Sequence, residues 1–218
     1  MSERVAPSGG EPLTGPGRAP HQLELDDEQD PLDLFERWFD AARDDGVELP
    51  EATALATATP EGRPSVRMVL LKGMDDQGFT FFTNYGSRKA SELDANPHAS
   101  LCFHWKEQDR QVRIEGPVAR VSEEESHSYF STRPEGSKIG AWASDQSRPL
   151  ASRAELEQRV RDVRRRFEET EIPLPPHWGG YRLTPQRIEF WQGRDDRLHD
   201  RIVFERVGAE WRTVRLYP

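Results

Sequence analysis

The sequence predicts an α+β fold dominated by strands and curled into a barrel, with helices at its periphery. Two observations carry that prediction. Apolar and β-branched runs, set apart by turn residues, occur on both sides of the helical stretches. No strand-like run is followed by Gly-x-Gly-x-x-Gly, so a doubly wound dinucleotide-binding sheet lacks its main sequence mark. A length of 218 residues suits one folded domain. We expect that domain over 30–218, behind a flexible acidic segment over 1–29 that is a candidate lid.

The elements follow in order. Asp30 can accept the free N–H groups of a helix that Pro31 opens and that runs to about Arg43. Leu32, Leu34, Phe35, Trp38 and Phe39 give it an apolar stripe, and Asp44-Asp45-Gly46 stops it. A strand over 52–59 leads into a Pro60-Glu61-Gly62-Arg63 hairpin turn. A strong strand over 65–72 comes next, and the Asp75-Asp76-Gln77-Gly78 turn delivers 79–83 as its antiparallel partner. A helix over 87–94 has Ser87 near its cap, and strands over 100–105 and 111–121 succeed it. Ser122 and Glu125 read as a capping box for a helix to about 131. A long charged helix over 152–169 is ended by Pro173, Pro175 and Pro176, and strands over 180–183, 187–192, 201–206 and 211–216 close the chain.

Charge narrows the function. The formal net charge is −9, and a nucleic-acid binder needs a dominant basic face. No apolar run reaches membrane-spanning length and the N-terminus lacks a signal-peptide core, which predicts a cytoplasmic protein. The single cysteine, Cys102, allows no intrachain disulfide and reads as a strand thiol. Against this acidic background, cationic and hydroxyl side chains gather beside apolar strands. They occur in Arg67-Met68-Val69-Leu70-Leu71-Lys72, Ser87-Arg88-Lys89, Arg133-Pro134-Glu135-Gly136-Ser137 and Arg197-Leu198-His199-Asp200-Arg201. Such clusters suit small anionic, planar ligands, because near charges and hydrogen-bond geometry outweigh distant ones.

Geometry constrains each cluster. Arg67 and Lys72 are five positions apart, so an uninterrupted strand turns them to opposite faces; by themselves they read equally as exposed basic ends. Arg88 and Lys89 follow a candidate helix cap, where oriented N–H groups add to their charge; a solvated basic turn is the alternative. Tyr129, Arg133 and Ser137 recur at spacings of four, but Pro134 and Gly136 interrupt a straight helix, so a helix-to-loop turn has to converge them. Arg197 and His199 alternate on the same side of an extended segment. Trp191 alone reads as an ordinary core aromatic.

These blocks, together with Phe190-Trp191-Gln192-Gly193 and the closing Arg215-Leu216-Tyr217-Pro218, resemble the pyridoxamine 5′-phosphate oxidase family over about 30–218. The resemblance implies an FMN-binding split β-barrel with peripheral helices, and a homodimer with FMN at the subunit interface. It implies oxidation of pyridoxine 5′-phosphate or pyridoxamine 5′-phosphate to pyridoxal 5′-phosphate, O2 being reduced to H2O2, through hydride transfer from substrate C4′ to flavin N5. On the same footing Arg67, Met68, Val69, Leu70, Leu71, Lys72, Phe82, Thr83, Arg88, Lys89, Gln111, Gln146, Ser147, Trp191 and Arg201 contact FMN. Lys72, Tyr129, Arg133 and Ser137 bind the substrate phosphate. Arg197, Leu198 and His199 lie against the pyridine ring, with Arg197 and His199 as the catalytic pair and His199 as no obligatory base. No metal is implied.

Two departures matter. Phe82 stands where the family often carries Tyr, which removes a hydroxyl. The N-terminal segment lacks the Arg-x-x-Tyr element of well-matched oxidases and is somewhat similar to the leader of phenazine-biosynthetic flavin oxidases of the same fold. A dihydrophenazine-carboxylate oxidase and a non-catalytic flavin or pyridoxal-phosphate binding module are therefore the alternatives, although the phenazine branch does not generally preserve the full phosphate-binding set.

Overall fold

A computed structural model describes residues 30–218; the acidic segment over 1–29 and its role as a lid lie outside them. Helix α1 (Pro31–Asp44) begins as expected, with the Asp30 carboxylate accepting the Leu32 N–H at 2.8 Å. Asp30→Ala should cost about 1 kcal/mol, read from a urea unfolding midpoint; an unchanged midpoint would show that the cap contributes nothing. The apolar stripe of α1 plugs the barrel. Phe35 meets Phe79 and Phe103 edge-on at 5.0 Å each, and Trp38 meets Phe190 at 5.2 Å.

Ten strands build the barrel: β1 (Ala52–Ala58), β2 (Pro64–Leu70), β3 (Gly73–Asp75), β4 (Gly78–Asn84), β5 (His98–Trp105), β6 (Arg110–Arg120), β7 (Trp178–Leu183), β8 (Arg187–Gln192), β9 (Asp200–Val207) and β10 (Glu210–Arg215). One path runs β10-β9-β8-β6-β5-β1-β2, all antiparallel; a second joins β3, β4 and β7 and meets the first at β6. Strand β6 serves both: Arg110–Glu115 pair with β8, and Val118–Arg120 pair with β7. Gly116 lies at that change of partner, where a Cβ would fall 2.0 Å from the Thr184 carbonyl oxygen. Alternating burial along β1 and β6 places one face in the core, as a period of two requires.

Two expectations need correction. Residues 79–83 do not pair with the strand over 65–72. Strand β2 pairs with β1, from Ala52 opposite Leu70 to Ala58 opposite Pro64, because the tight turn between them sets that register. Strand β4 takes β3 and β7 instead. The chain changes sheets after Leu70: the Leu71 N–H donates to the Glu51 carbonyl, and the Lys72 N–H donates to that of Thr80. Lys72 is thus off the strand that carries Arg67, and the opposite-face argument does not apply to it.

The second correction concerns residues after 132. Helices α2 (Arg88–Ala95) and α3 (Glu123–Thr132) match expectation, but Pro134 precedes a further helix, α4 (Glu135–Ala143), where a loop was expected. Proline disrupts a helix interior yet is tolerated at a helix start, and here the Ser137 and Lys138 N–H groups donate to its carbonyl. The capping box at α3 is half formed: Ser122 Oγ accepts the Glu125 N–H at 3.0 Å, while the Glu125 carboxylate takes Arg182 at 3.0 Å. Helix α5 (Arg153–Arg166) follows, capped by Ser152 and ending three residues earlier than expected. Among the described residues no helix is long and apolar enough to cross a membrane.

Candidate active site

A cleft of about 860 Å³ opens between β2, the end of β4, the start of α2, and the α3–α4 corner. The sequence-predicted residues Arg67, Met68, Val69, Leu70, Lys72, Phe82, Thr83, Arg88, Lys89, Tyr129, Arg133, Ser137, Gln146 and Ser147 line it. Segments remote in sequence meet there because the α3–α4 break turns Tyr129, Arg133 and Ser137 toward β2. Leu71 does not line the cleft; its side chain belongs to the core.

The cations in the cleft fall into two kinds. Arg67 and Arg88 share one carboxylate, Glu92, at 3.2 and 2.8 Å. Arg67 also donates to the Leu55 carbonyl at 3.1 Å, to Thr57 Oγ1 at 2.6 Å, and to Ser65 Oγ. Glu92 is buried, which by itself would raise its pKa, but hydrogen bonds from Ser65, Thr57 and Arg88 hold it at about 2. Lys72 lies 3.7 Å from Glu51.

Lys89 and Arg133 are different. Lys89 is buried, and among the described residues its ammonium donates only to neutral oxygens: Thr83 Oγ1 at 3.0 Å, Gln146 Oε1 at 3.1 Å and Ser87 Oγ at 3.4 Å. Burial, helped by the Arg67 charge, pulls its pKa down to about 8. Arg133 places its guanidinium 4.6 Å from the centre of the Trp178 ring and leaves Nη1 buried without a hydrogen-bond partner. Burial lowers the Arg133 pKa, opposed by Tyr129, and burial raises that of Tyr129. Among the described residues no carboxylate lies within 4.0 Å of either cation.

The remaining sequence-predicted residues form a second cluster, outside this cleft. Gln111, Trp191 and Arg201 stand side by side across β6, β8 and β9. The His199 ring tilts over Trp191 at 4.6 Å, and its Nδ1 accepts the Arg194 N–H at 3.1 Å. In the neutral ring, Nε2 then carries the proton. Arg201 is committed to the buried carboxylate of Glu189, which also holds Arg113 and Arg187. Burial pushes the Glu189 pKa up, but the hydrogen bonds from Arg113 and Arg201 outweigh it and keep it below the ordinary value. Arg197 and Leu198 are exposed. Arg197 is not on an extended segment: Asp195–Arg197 form a 3₁₀ turn, with φ of 54° at Asp196 and 60° at Arg197. Two successive left-handed non-glycine residues are strained, which concentrates at functional loops.

Sequence reasoning missed Glu92, Asn84, Ser144 and Trp178. Glu92 had a signal, its i,i+4 spacing from Arg88. Asn84, which donates to the Ser144 carbonyl at 3.2 Å, had none. Among the described residues no group of His, Cys, Asp or Glu could hold a metal ion.

Residues 39–167 match the family model described as pyridoxamine 5′-phosphate oxidase, and residues 178–218 match the pyridoxine 5′-phosphate oxidase C-terminal dimerisation region. The chain belongs to the pyridoxine/pyridoxamine 5′-phosphate oxidase family. The family member of Rubrobacter xylanophilus is 59% identical over 189 residues, covering 87% of each chain. That of Cupriavidus necator is 56% identical over 196 residues, covering 89% of this chain and 92% of the relative. Among solved structures, Burkholderia lata PhzG in complex with tetrahydrophenazine-1-carboxylic acid is 36% identical, with a TM-score of 0.83 over 87% of this chain and 93% of that one. A pyridoxamine 5′-phosphate oxidase-related, FMN-binding protein of Nostoc punctiforme superposes with a TM-score of 0.70 over 88% of this chain and 99% of that one, at 18% identity. The architecture is the split barrel of this family. The dimerisation region spans β7 to β10 and so contains the whole Arg197–Arg201 block, and the chain is a homodimer.

Proposed function

We propose that this protein is an FMN-dependent oxidase that converts pyridoxine 5′-phosphate and pyridoxamine 5′-phosphate to pyridoxal 5′-phosphate. O2 becomes H2O2; with the amine, water enters and ammonia leaves. The observation that carries this reading is a pair of cations in one cleft, the buried Lys89 and the half-buried Arg133 with its buried Nη1, that have no carboxylate partner among the described residues. A buried charge left uncompensated is costly, so each marks a place for an anion. Both ligands of the reaction carry a phosphate.

The chain's residues fit FMN at the Lys89 end. Arg67, Arg88 and Lys89 would hold its phosphate, and Thr83, Gln146, Ser147 and the 67–72 segment would flank the rest. The neutral oxygens around Lys89 leave its charge available to a phosphate. Once held there, FMN would supply a two-electron acceptor for the hydride equivalent lost from substrate C4′ and a route for those electrons to O2. At the other end Arg133 offers a planar donor fork, Lys72 a point charge, and Tyr129 and Ser137 neutral donors to the substrate phosphate. Gln111, Trp191, Arg197, Leu198, His199 and Arg201 are assigned to the same site from the second copy of the chain, since within one chain they lie outside the cleft. The Arg197 guanidinium holds the pyridine ring, and His199, its Nδ1 occupied, presents Nε2 to the ring substituents.

Anaerobic mixing with either 5′-phosphate substrate should bleach the oxidised flavin; no bleaching with both would refute the assignment. Arg197→Met should slow that bleaching about tenfold or more while leaving FMN bound, as expected for lost orientation. Equal loss of both would indicate a fold or cofactor-site defect instead. The likeness to Burkholderia lata PhzG favours a second reading, a dihydrophenazine-carboxylate oxidase. Turnover of that substrate but of neither 5′-phosphate would establish it. Retained ligand without flavin reduction would instead indicate a binding module.

A further inference from the structure

Trp178 has no part in the reading above, yet it lines one wall of the cleft. Trp178 opens β7 and is 7% exposed. Its indole lies nearly parallel to two other rings: Phe82 at 5.4 Å and 7°, and Tyr129 at 6.1 Å and 10°. Phe82 and Tyr129 stack on each other at 4.1 Å and 17°. Each ring comes from a different element, β7, β4 and α3. The glycine explains how they fit. Gly180 faces Phe82 across the β4–β7 ladder, and a Cβ there would come within 2.8 Å of the Phe82 ring.

Arg133 rests on this wall. Its guanidinium lies 4.6 Å from the Trp178 ring centre and 5.6 Å from that of Phe130, with Nη1 buried and unpartnered. No ion pair fixes it among the described residues, so the aromatic wall is what orients its plane. A long arginine side chain free to rotate loses rotamer entropy when it is pinned by a ligand. Stacking on an indole removes part of that cost in advance and leaves the in-plane N–H groups for an anion.

We propose that Trp178 is a positioning residue for the substrate's 5′-phosphate: its ring holds the Arg133 guanidinium and, together with Phe82, the Tyr129 phenol, in the arrangement in which both donate to one anion. The proposal rests on the assignment of Arg133 and Tyr129 to that phosphate. It makes Trp178 a determinant of selectivity for phosphorylated over unphosphorylated vitamers.

The test compares binding of pyridoxal 5′-phosphate and of pyridoxal to the holoenzyme by equilibrium dialysis, with steady-state rates on pyridoxine 5′-phosphate. Trp178→Leu should raise the pyridoxal 5′-phosphate Kd and the substrate KM about tenfold, with kcat within about twofold. Pyridoxal binding and FMN content should stay as in the wild type, and Trp178→Phe, which keeps a flat face, should restore most of the loss. An unchanged pyridoxal 5′-phosphate Kd in Trp178→Leu, or an equal loss for pyridoxal, overturns the proposal. If Trp178→Leu does not fold, Arg133→Lys decides: a charge with no plane to stack should lose about tenfold in the same selective manner, and wild-type affinity would overturn the idea. A wild-type enzyme that does not prefer pyridoxal 5′-phosphate over pyridoxal would instead remove the phosphate assignment on which the proposal stands.

Discussion

Replacing Arg133 with alanine is expected to raise KM for both 5′-phosphate substrates by about a hundredfold, equivalent to about 2.7 kcal/mol, with a much smaller change in kcat. The reason is electrostatic and local. Arg133 is the one arginine lining the cleft that has no carboxylate among the described residues, while Arg67 and Arg88 are already shared with Glu92. A phosphate meeting Arg133 finds an uncompensated, partly desolvated charge, where a charge-assisted bond is strongest. The phosphate lies remote from the reacting carbon and is held alike in ground and transition states, so its loss falls on KM. Steady-state kinetics on both substrates check this. A fall in kcat with unchanged KM would place Arg133 in the chemical step and remove it from phosphate binding.

Lys89→Met should weaken FMN binding to the apoprotein about a hundredfold while leaving riboflavin, which has no phosphate, within a few fold. The wild type should show a matching pH dependence. The Lys89 pKa is pulled down to about 8, so the ligand-free side chain loses its proton as pH rises past that value. A phosphate ester stays dianionic there, its second pKa being about 6. FMN prefers the protonated lysine, so affinity should hold below about pH 8 and fall by up to about tenfold per unit above it. Fluorescence titration of FMN with apoprotein at pH 7 and pH 9 reads this directly. Equal affinity at both pH values in the wild type, or a parallel fall for riboflavin, would show that Lys89 is not a phosphate ligand.

Much of this architecture was legible because local chemistry decides it. Asp30-Pro31 and Ser122 capped their helices as their side chains allow, and alternating apolar residues marked most of the strands. The errors came where a local signal was outweighed by distant contacts. Pro134 read as a helix stop, yet the same ring geometry tolerates a helix start, and the packing of α4 against α5 selects that use. Residues 65–72 and 79–83 looked like hairpin partners, but the chain crosses between sheets at Leu71-Lys72. In the site, the cationic and hydroxyl residues were identifiable by type and spacing. Trp178 was not, because an aromatic in an apolar strand gives the same pattern whether it fills the core or supports a guanidinium.

The order of amino acids alone determined the strand-rich class, the helix caps, the acidic balance and the family to which the chain belongs, since each depends on residue type and short-range spacing. Which cations are neutralised and which are left open depended on the tertiary structure. Glu92 reaches Arg67 and Arg88 because β2 and α2 pack together, whereas among the described residues nothing anionic folds onto Lys89 or Arg133. Coulomb interactions act through space over a few ångströms, and only the closed barrel sets those distances.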